Sequence, residues 1–327
     1  MKKELAVVMG GGGFIGGYLC RSLVEQGYAV RSVDIKPFGE WEQLHPDAEN
    51  VQLNLQRLDH CEQVAVGANR IYQLAADMGG MGFIENNRCL CMLSVLITTH
   101  ALMSARKFGT QRFFYSSSAC AYNTQKQTSA EVIPLKEEDA YPAMPEEGYG
   151  WEKLFSERMC NHFYEDFGLE CRVARFHNVF GPSGSWCGGR EKAPAALCRK
   201  VAEAVVSGNM EIEIWGDGNQ TRSFQYISDC IKGINLIMES DIREPINLGS
   251  NELVTINQLV DIIEEIANVK LRRKYKLDAP LGVRGRNSDN TKIKKYLGWE
   301  PNTPLRVGIA ETYSWIFEQV KAVHDRR

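Results

Sequence analysis

A glycine loop close to the start of the chain constrains its fold more than any other stretch. An apolar, β-prone run from Leu5 to Met9 leads into the string GGGGFIG at residues 10–16, and apolar residues at helical spacing follow it. The order strand, glycine turn and helix lets a pyrophosphate approach the backbone, where the helix N-terminus stabilises its charge. We therefore predict a dinucleotide-binding loop whose contact residues are Gly10, Gly13, Phe14, Ile15 and Gly16.

A carboxylate at the expected distance indicates which dinucleotide binds. The second predicted strand, Ala29 to Val33, ends at Asp34, 18 residues beyond Gly16. Such a carboxylate binds the adenosine ribose hydroxyls and repels a 2'-phosphate, so NAD is favoured over NADP, with Lys36 nearby as an opposing feature. Further cofactor contacts are predicted after the third strand (51–53) and the fourth strand (70–74), at Asn54, Leu55, Ala75 and Ala76.

Strand and helix patterns alternate through the first half of the chain. Further strands are predicted at 112–115 and 171–176, and helices at 86–108 and 149–167. Such alternation builds an α/β fold, a doubly wound parallel sheet of the Rossmann type, whose ligands sit at the carboxyl ends of the strands. Beyond Pro182 the alternation stops, which predicts a smaller α/β substrate-binding domain. The predicted NAD-binding domain is 1–180 with a return segment near 226–250, and the substrate domain is 181–225 with 251–327.

Composition excludes several classes of function. A formal net charge of -3, with 44% hydrophobic and 24% charged residues, fits neither a disordered chain nor a basic nucleic-acid surface. No apolar stretch is expected to reach the roughly 18 residues that span a bilayer, so a soluble protein without a membrane partner is predicted. The ten cysteines lack CxxC pairs and histidines at zinc spacing, which predicts reduced thiols, no metal site and a cytoplasmic location.

A hydroxyl, a phenol and an ammonium are predicted to meet beyond the fifth strand. The apolar run 112–115 carries Ser118 and Cys120 to its carboxyl end. Tyr149 and Lys153 share one face of the following helix because they stand four residues apart. A lysine beside a phenol stabilises the phenolate and lowers the pKa of the tyrosine, which lets Tyr149 take a proton from a substrate hydroxyl while a hydride leaves.

Later loops supply candidate substrate contacts. The string MGGMG at residues 78–82 is too rich in glycine for a helix, and is either a flexible connection or a loop whose backbone approaches the substrate. Cations at Lys200, Arg222 and Arg286 could hold a diphosphate, with solvated surface charge as the alternative for each. Trp215, in the string WGDG, is expected to lie in the core.

Taken in order, these motifs resemble the extended short-chain dehydrogenase/reductase family of nucleotide-sugar enzymes over nearly the whole chain. Within that family, five strings are similar to those of the GDP-mannose 3,5-epimerases: ADMGGMG at 76–82, SSAC at 117–120, RFHN at 175–178, GGREKAPAA at 188–196 and GVRGRNSDN at 282–290. The resemblance implies NAD-dependent epimerisation of GDP-mannose at C3 and C5. The expected product is GDP-L-galactose, or GDP-L-gulose if only C5 inverts.

The resemblance also implies a role for each site residue. Tyr149, helped by Lys153 and Ser118, would remove the C4 hydroxyl proton as hydride passes to NAD, and the C4 ketone would acidify the hydrogens on C3 and C5. Cys120 and Lys192 match the acid and base of the family, which act from opposite faces of the sugar. The implied substrate contacts are Gly79, Ser118, Asn178, Glu191, Lys192, Lys200, Gln220, Arg222 and Arg286.

Some positions depart from the family pattern and leave alternatives open. Cys187 stands where plant-type enzymes are expected to have lysine, and Asn123 where proline is usual, so another GDP-hexose or GDP-heptose is compatible as substrate. The alternative enzyme is a nucleotide-sugar 4-epimerase, which needs neither Cys120 nor Lys192. A 4,6-dehydratase would place an acidic pair near Cys120, which the chain lacks. A non-catalytic NAD-binding protein has no reason to retain Tyr149 with its lysine and serine partners.

Assembly is expected from the resemblance alone. The family commonly dimerises through two helices of each subunit, which match residues 86–108 and 149–167 here. A homodimer that binds a small-molecule GDP-sugar, and no nucleic acid, is therefore predicted.

Overall fold

A parallel sheet forms the centre of the computed structural model, which describes residues 3–325. The strands in chain order are β1 Leu5–Met9, β2 Ala29–Asp34, β3 Glu49–Gln52, β4 Arg70–Gln73, β5 Arg112–Ser118, β6 Glu170–Phe176, β7 Asn178–Phe180, β8 Glu211–Trp215, β9 Thr221–Tyr226, β10 Ile246–Leu248, β11 Leu253–Thr255, β12 Arg272–Lys276 and β13 Gly285–Arg286. Seven of them form the large sheet in the order β10-β6-β5-β4-β1-β2-β3, and all of its neighbouring pairs are parallel.

Helices cover both faces of this sheet. They are α1 Phe14–Glu25, α2 Leu58–Ala65, α3 Met81–Asn86, α4 Arg88–Met92, α5 Ser94–Lys107, α6 Tyr149–Phe167, α7 Ala193–Ser207, α8 Ile227–Glu239, α9 Ile256–Ala267, α10 Thr291–Leu297 and α11 Leu305–His324. Alternate residues of β1 enter opposite layers: Ala6 and Val8 pack with α1 and α8, and Val7 and Met9 pack with α2 and α5. A parallel strand is apolar on both faces for this reason. The predicted doubly wound fold of the Rossmann type is confirmed.

The strand order reverses between β1 and β4. From β1 the chain moves outward to β2 and β3, and it then returns to place β4 on the other side of β1. In open sheets of this kind, ligands bind outside the carboxyl ends of the strands at the point of reversal. The glycine loop follows β1, and Ala75 follows β4, so the predicted cofactor residues converge there.

Two smaller sheets lie in the second half of the chain. The strands β11, β9 and β13 are joined in that order, β7 pairs with β9, and β8 pairs with β12. One hydrophobic cluster runs from Val8 in the large sheet to Ile214 and Ile309 in this region. The predicted limits of the two domains stay a prediction, because the core is continuous across them.

The segment after β4 differs from its prediction at the glycine-rich loop, which contains the start of α3. The helical stretch predicted at 86–108 is present as α4 and α5, which are joined by Leu93 in a helical conformation. The expectation that no apolar stretch is long enough to span a bilayer was wrong: among the described residues, Arg88–Lys107 is long and apolar enough by length and composition, a test that a core helix of a soluble protein also passes. Of its apolar window, 44% is buried inside the protein.

Candidate active site

Chain segments approach too closely at the glycine loop for side chains to fit. A Cβ on Gly10 would lie 2.9 Å from the Ala75 nitrogen, and a Cβ on Gly16 would lie 2.1 Å from the Gly10 oxygen. Gly10 also has a φ of +86°, which residues with a side chain rarely adopt. Gly13 precedes α1 without a side-chain cap, so among the described residues no side chain caps the N–H groups at the start of this helix. Phe14 and Ile15 open this helix, and the loop fits a pyrophosphate.

The predicted ribose carboxylate, Asp34, is the last residue of β2 and is 8% exposed. It accepts a hydrogen bond from the Lys36 backbone nitrogen at 3.1 Å. The Lys36 ammonium instead turns toward the glycine loop and donates to the Gly12 oxygen at 3.2 Å. Trp41 packs on the same glycine and donates to the Lys36 oxygen at 2.8 Å. The carboxylate therefore stands beside the glycine loop, as a ribose contact requires.

The remaining cofactor candidates follow β3 and β4. The Gln73 side chain fixes Ala75 by accepting from its nitrogen and donating to its oxygen, both at 2.9 Å. Ala76 packs against the small cluster that contains Cys120 and Tyr149. Asn54 accepts a hydrogen bond from the Gln56 nitrogen, and the Leu55 side chain is 4% exposed and packs in the core. Any contact of Leu55 with the cofactor would therefore come from its backbone.

The helix α6 presents Tyr149 and Lys153 on one face, as their spacing predicts. Lys153 is 2% exposed, and its ammonium lies 5.2 Å from the centroid of the Tyr149 ring. The ammonium donates to the Ser116 carbonyl at 3.1 Å and lies 3.4 Å from a carboxylate oxygen of Glu152. The phenol and its lysine are thus held together inside the protein by contacts from β5 and α6.

The expected lowering of the Tyr149 pKa was wrong. Burial raises the pKa of Tyr149 well above its ordinary value, and the nearby Cys120 and Glu152 act in the same direction. A side-chain hydrogen bond with Ser118 opposes them. The phenol is consequently protonated in this structure, because little solvent reaches it to stabilise a phenolate.

A pocket of about 300 Å³ lies beyond the carboxyl ends of β5 and β6. The predicted residues that line it are Gly79, Ser118, Cys120, Tyr149, Asn178, Glu191, Lys192, Lys200, Gln220, Arg222 and Arg286. All the predicted substrate contacts therefore meet in one cavity, together with both members of the predicted acid and base pair. Lys153 lies behind Tyr149 and does not line the pocket.

The pKa values of the two predicted proton-transfer groups are shifted in opposite directions. Burial raises the pKa of the Cys120 thiol, with a further rise from Glu146, while Arg286, a hydrogen bond with Ser118 and Lys192 lower it. Burial lowers the pKa of Lys192. In both groups the neutral form is favoured, because the charged form loses its water. The thiol is thus further from ionisation than that of an ordinary cysteine.

Two loops meet at one wall of the pocket. The Gly80 nitrogen donates to the Arg190 oxygen at 3.1 Å, and a Cβ on Gly80 would lie 2.6 Å from the Glu191 oxygen. The Arg190 guanidinium lies 4.0 Å from the centroid of the Phe83 ring and 3.7 Å from an Asp77 carboxylate oxygen. The glycine-rich loop is therefore a packed part of the wall and holds the segment that leads to Lys192.

Most of the predicted diphosphate ligands already bond to the protein. Lys200 donates to the Glu213 carbonyl at 2.7 Å, and Arg222 donates to the carbonyls of Leu281 and Val283 at 3.0 and 2.6 Å. Burial and the nearby Arg286 lower the pKa of Arg222 to about 10. These cations shape the cavity wall, and their contacts with a diphosphate stay a prediction.

Sequence reasoning misjudged or missed several residues near the pocket. Trp215, expected in the core, is 40% exposed and lines the pocket, so that expectation was wrong. His177 also lines it, and burial lowers the pKa of this histidine to about 3, which keeps the ring neutral. Gln127 and Glu146 bind Arg286 from behind the wall. Nothing in their local sequence separates these two from ordinary polar loop residues.

Comparisons with known proteins agree with this geometry. The profile of the NAD dependent epimerase/dehydratase family matches residues 6–249. GDP-mannose 3,5-epimerase 1 of Oryza sativa subsp. japonica is 45% identical over 315 residues, which cover 96% of this chain and 82% of the rice protein. UDP-glucose 4-epimerase of Thermotoga maritima, solved with UDP-glucose, has a TM-score of 0.86 at 27% identity and covers 97% of this chain and 99% of that chain. MoeE5 in complex with UDP-glucose and NAD has a TM-score of 0.79 at 25% identity, with 96% and 99% covered.

The family explains the glycine loop and the carboxylate beside it. NAD is its cofactor, and the loop around Gly10 together with Asp34 fits this dinucleotide. The family profile spans well over half of the chain, and the rice enzyme is 45% identical across nearly all of it. The chain belongs to the NAD dependent epimerase/dehydratase family.

Proposed function

We propose that the protein is a GDP-mannose 3,5-epimerase, which inverts C3 and C5 of the sugar through a transient ketone at C4. The product is GDP-L-galactose, or GDP-L-gulose where only C5 inverts. The observation that carries this proposal is that Cys120 and Lys192 line the same pocket as Tyr149 and Ser118. A 4-epimerase has no use for a second acid and base pair. The 45% identity to a rice enzyme of this name supports the same activity.

The first step takes place at C4. NAD, when bound, supplies the group that takes a hydride from C4 and later returns it. Tyr149 and Ser118 exchange the proton of the C4 hydroxyl, and Lys153 holds the phenol in place from behind. Because its pKa is raised, Tyr149 is well suited to return a proton to the C4 oxygen when the ketone is reduced.

The inversions at C3 and C5 need a base on one face of the sugar and an acid on the other. The ketone acidifies both hydrogens, since each of these carbons is adjacent to C4. Because burial raises the pKa of the Cys120 thiol and lowers that of the Lys192 amine, the thiol is suited to donate a proton and the amine to accept one, so the pair contains one acid and one base. Proton removal by one member and return by the other inverts the carbon.

The decisive experiment is incubation of the purified protein with GDP-mannose in heavy water, followed by proton NMR of the sugar. Loss of the C3 and C5 proton signals, with new resonances of the epimers, is expected. Loss at C5 alone would indicate mainly single inversion. Inversion at C4 without exchange at C3 or C5 would contradict the proposal in favour of a 4-epimerase. Absence of any reaction would call for other GDP-hexoses and GDP-heptoses as substrates.

We also propose that two copies associate through α5 and α6. Apolar side chains on the outer face of this helix pair are exposed, with Met103 at 43%, Trp151 at 42% and Phe155 at 50%. A second copy that covers this face would remove the apolar surface from water. Light scattering should give a dimer mass, which Phe155→Asp should reduce to a monomer mass. Leu277→Asp, at a 72% exposed apolar residue elsewhere, should leave the dimer intact.

A further inference from the structure

A buried ion pair lies directly behind the pocket wall at Cys120. The Arg286 guanidinium bonds to the Glu146 carboxylate, and the two side chains are 7% and 8% exposed. Arg286 lines the pocket, whereas Glu146 does not. The second carboxylate oxygen of Glu146 is buried and has no hydrogen-bond partner within residues 3–325. A buried carboxylate with one free oxygen is costly, so its position calls for an explanation beyond packing.

The guanidinium of Arg286 joins this carboxylate to the thiol. One terminal nitrogen, Nη1, lies 3.6 Å from the Cys120 Sγ, and the other, Nη2, bonds to Glu146. The third nitrogen, Nε, donates to the Gln127 side-chain oxygen at 2.6 Å. With every nitrogen engaged, the orientation of the guanidinium against the sulfur is fixed.

Backbone contacts also fix the position of Glu146 relative to Cys120. The Glu146 nitrogen donates to the Cys120 oxygen at 3.1 Å, so the carboxylate and the thiol belong to segments that bond to each other. Gly150 completes the contact, because a Cβ there would lie 2.3 Å from the Cys120 oxygen. The distance between the ion pair and the sulfur is therefore built into the fold.

Charged and titratable groups face Cys120 from several elements. They are Cys91 on α4, Glu146 before α6, Tyr149 on α6, Lys192 before α7, Arg222 on β9 and Arg286 on β13. Three of these groups are cationic when protonated, and each would favour a thiolate. Glu146 is the anion in this set, and it lies against the cation that touches the sulfur. The negative charge of Glu146 therefore offsets the positive charge of Arg286 next to the Cys120 sulfur.

We propose that Glu146 is a positioning and charge-balancing residue for Cys120: it fixes Arg286 against the sulfur and cancels much of the positive charge that a thiolate would otherwise feel. This inference rests on the proposed role of Cys120 in proton transfer. A thiol that stayed fully ionised beside Arg286 could accept a proton but could not donate one. The carboxylate keeps both forms of Cys120 accessible, as a group that gives and takes protons requires.

The test is the pH profile of Cys120 alkylation by iodoacetamide, read from the Cys120 peptide by mass spectrometry. Alkylation requires the thiolate, so the midpoint of the profile reports the pKa of the thiol. Glu146→Gln keeps the shape of the side chain and removes its charge. We expect the midpoint of the alkylation profile to fall by on the order of one pH unit in this variant. The matched control is Glu147→Gln, since Glu147 is 72% exposed and pairs with Arg88 instead. Its midpoint should equal that of the unaltered protein.

An unchanged or raised midpoint in folded Glu146→Gln would overturn the proposal. Protection of the buried Cys198 from alkylation and the melting temperature establish that the variant is folded. If it does not fold, Arg286→Gln provides the second measurement, because loss of the cation should raise the midpoint and an unchanged value would again contradict the proposal. Alkylation needs no sugar nucleotide. Its outcome is therefore independent of the heavy-water experiment, which alone decides whether GDP-mannose is the substrate.

Discussion

The two proton-transfer pairs of the pocket are built in different ways. Tyr149 and Lys153 come from one turn of α6 and are held by contacts from α6 and the neighbouring strand β5. Cys120 and Lys192 stand 72 residues apart in the chain, in a turn after β5 and in a loop before α7. The first pair is a property of one helix. The second pair exists only because separate loops are packed against each other around the cavity.

Because of this difference, the two pairs should respond differently to small movements of the backbone. Lys153 is 2% exposed and is tied to Ser116 and Glu152, so the first pair is rigid. The second pair depends on Gly150, which lets α6 approach the Cys120 turn, and on Gly80, which lets two loops meet. Small displacements of these backbone contacts should therefore affect C3 and C5 chemistry more than C4 chemistry.

The largest effect is expected when the first pair is broken. Tyr149→Phe removes the group that exchanges the C4 hydroxyl proton, and without a ketone no hydrogen on C3 or C5 becomes acidic. Proton exchange at both carbons should fall by about 10³-fold or more. The exposed Tyr141→Phe should retain exchange. Substantial C5 exchange in Tyr149→Phe, measured by NMR in heavy water, would show that the two pairs act independently.

Removal of Cys120 from the second pair should separate proton exchange at C3 and C5 from hydride transfer at C4. Cys120→Ala is expected to lower C3 and C5 exchange by about 10²-fold while GDP-mannose still reduces the bound cofactor. The readouts are NMR for exchange and the absorbance of the reduced nicotinamide for the hydride step. Cys187→Ala, at an exposed cysteine near the pocket, is the control and should behave like the unaltered protein. Loss of both activities in Cys120→Ala would argue against separate roles.

A change at Gly150 should test the contact between the pairs. The added Cβ in Gly150→Ala would lie 2.3 Å from the Cys120 oxygen and 3.0 Å from the Pro145 Cβ, so the Cys120 turn must move. A misplacement of this kind should reduce C5 exchange roughly 10- to 100-fold. Gly39→Ala, at a glycine whose Cβ would meet nothing within 4 Å, should have no such effect. Equal C5 exchange in the two variants would contradict the proposed coupling.

The smallest effect is expected from pH. The pKa of Lys192 is lowered from 10.5 by burial, and that of Cys120 is raised from 9.0 by burial. As pH falls through the lowered pKa of Lys192, its amine is protonated and the pair loses its base, so C5 exchange should decrease. As pH rises far enough to ionise the thiol, the pair loses its acid and exchange should decrease again. A C5 exchange rate that increases steadily as pH falls would contradict the assignment of Lys192 as the base.

Local spacing explains how much of the site the sequence could predict. The glycine loop and the pair Tyr149 and Lys153 each lie within a few residues, so element type and period were enough to place them. Cys120 and Lys192 were identified only through the resemblance, since nothing local marks a cysteine or a lysine as catalytic. Both residues line the pocket that Tyr149 also lines.

Burial could not be predicted from the sequence, because it depends on contacts between distant segments. The pKa of Tyr149 is raised by burial, whereas its sequence neighbours indicated a fall. Glu146 and Gln127 meet Arg286 from about 140 and 159 residues away. Trp215 ends β8, in which glutamate and isoleucine alternate, and it faces the pocket because β8 is covered on one side only.

We expect the hydrogen bond from the Gly80 nitrogen to the Arg190 oxygen to affect how long a reaction intermediate stays bound. The bond joins two main-chain segments at the pocket wall, and a side chain on Gly80 would clash with the Glu191 oxygen at 2.6 Å. A sugar that undergoes two inversions must stay longer than one that undergoes a single inversion. The residence time of the ketone therefore governs the ratio of the two products. Gly80→Ala should shorten that time and shift the mixture toward the singly inverted sugar, and an unchanged ratio by NMR would show that the wall does not limit escape.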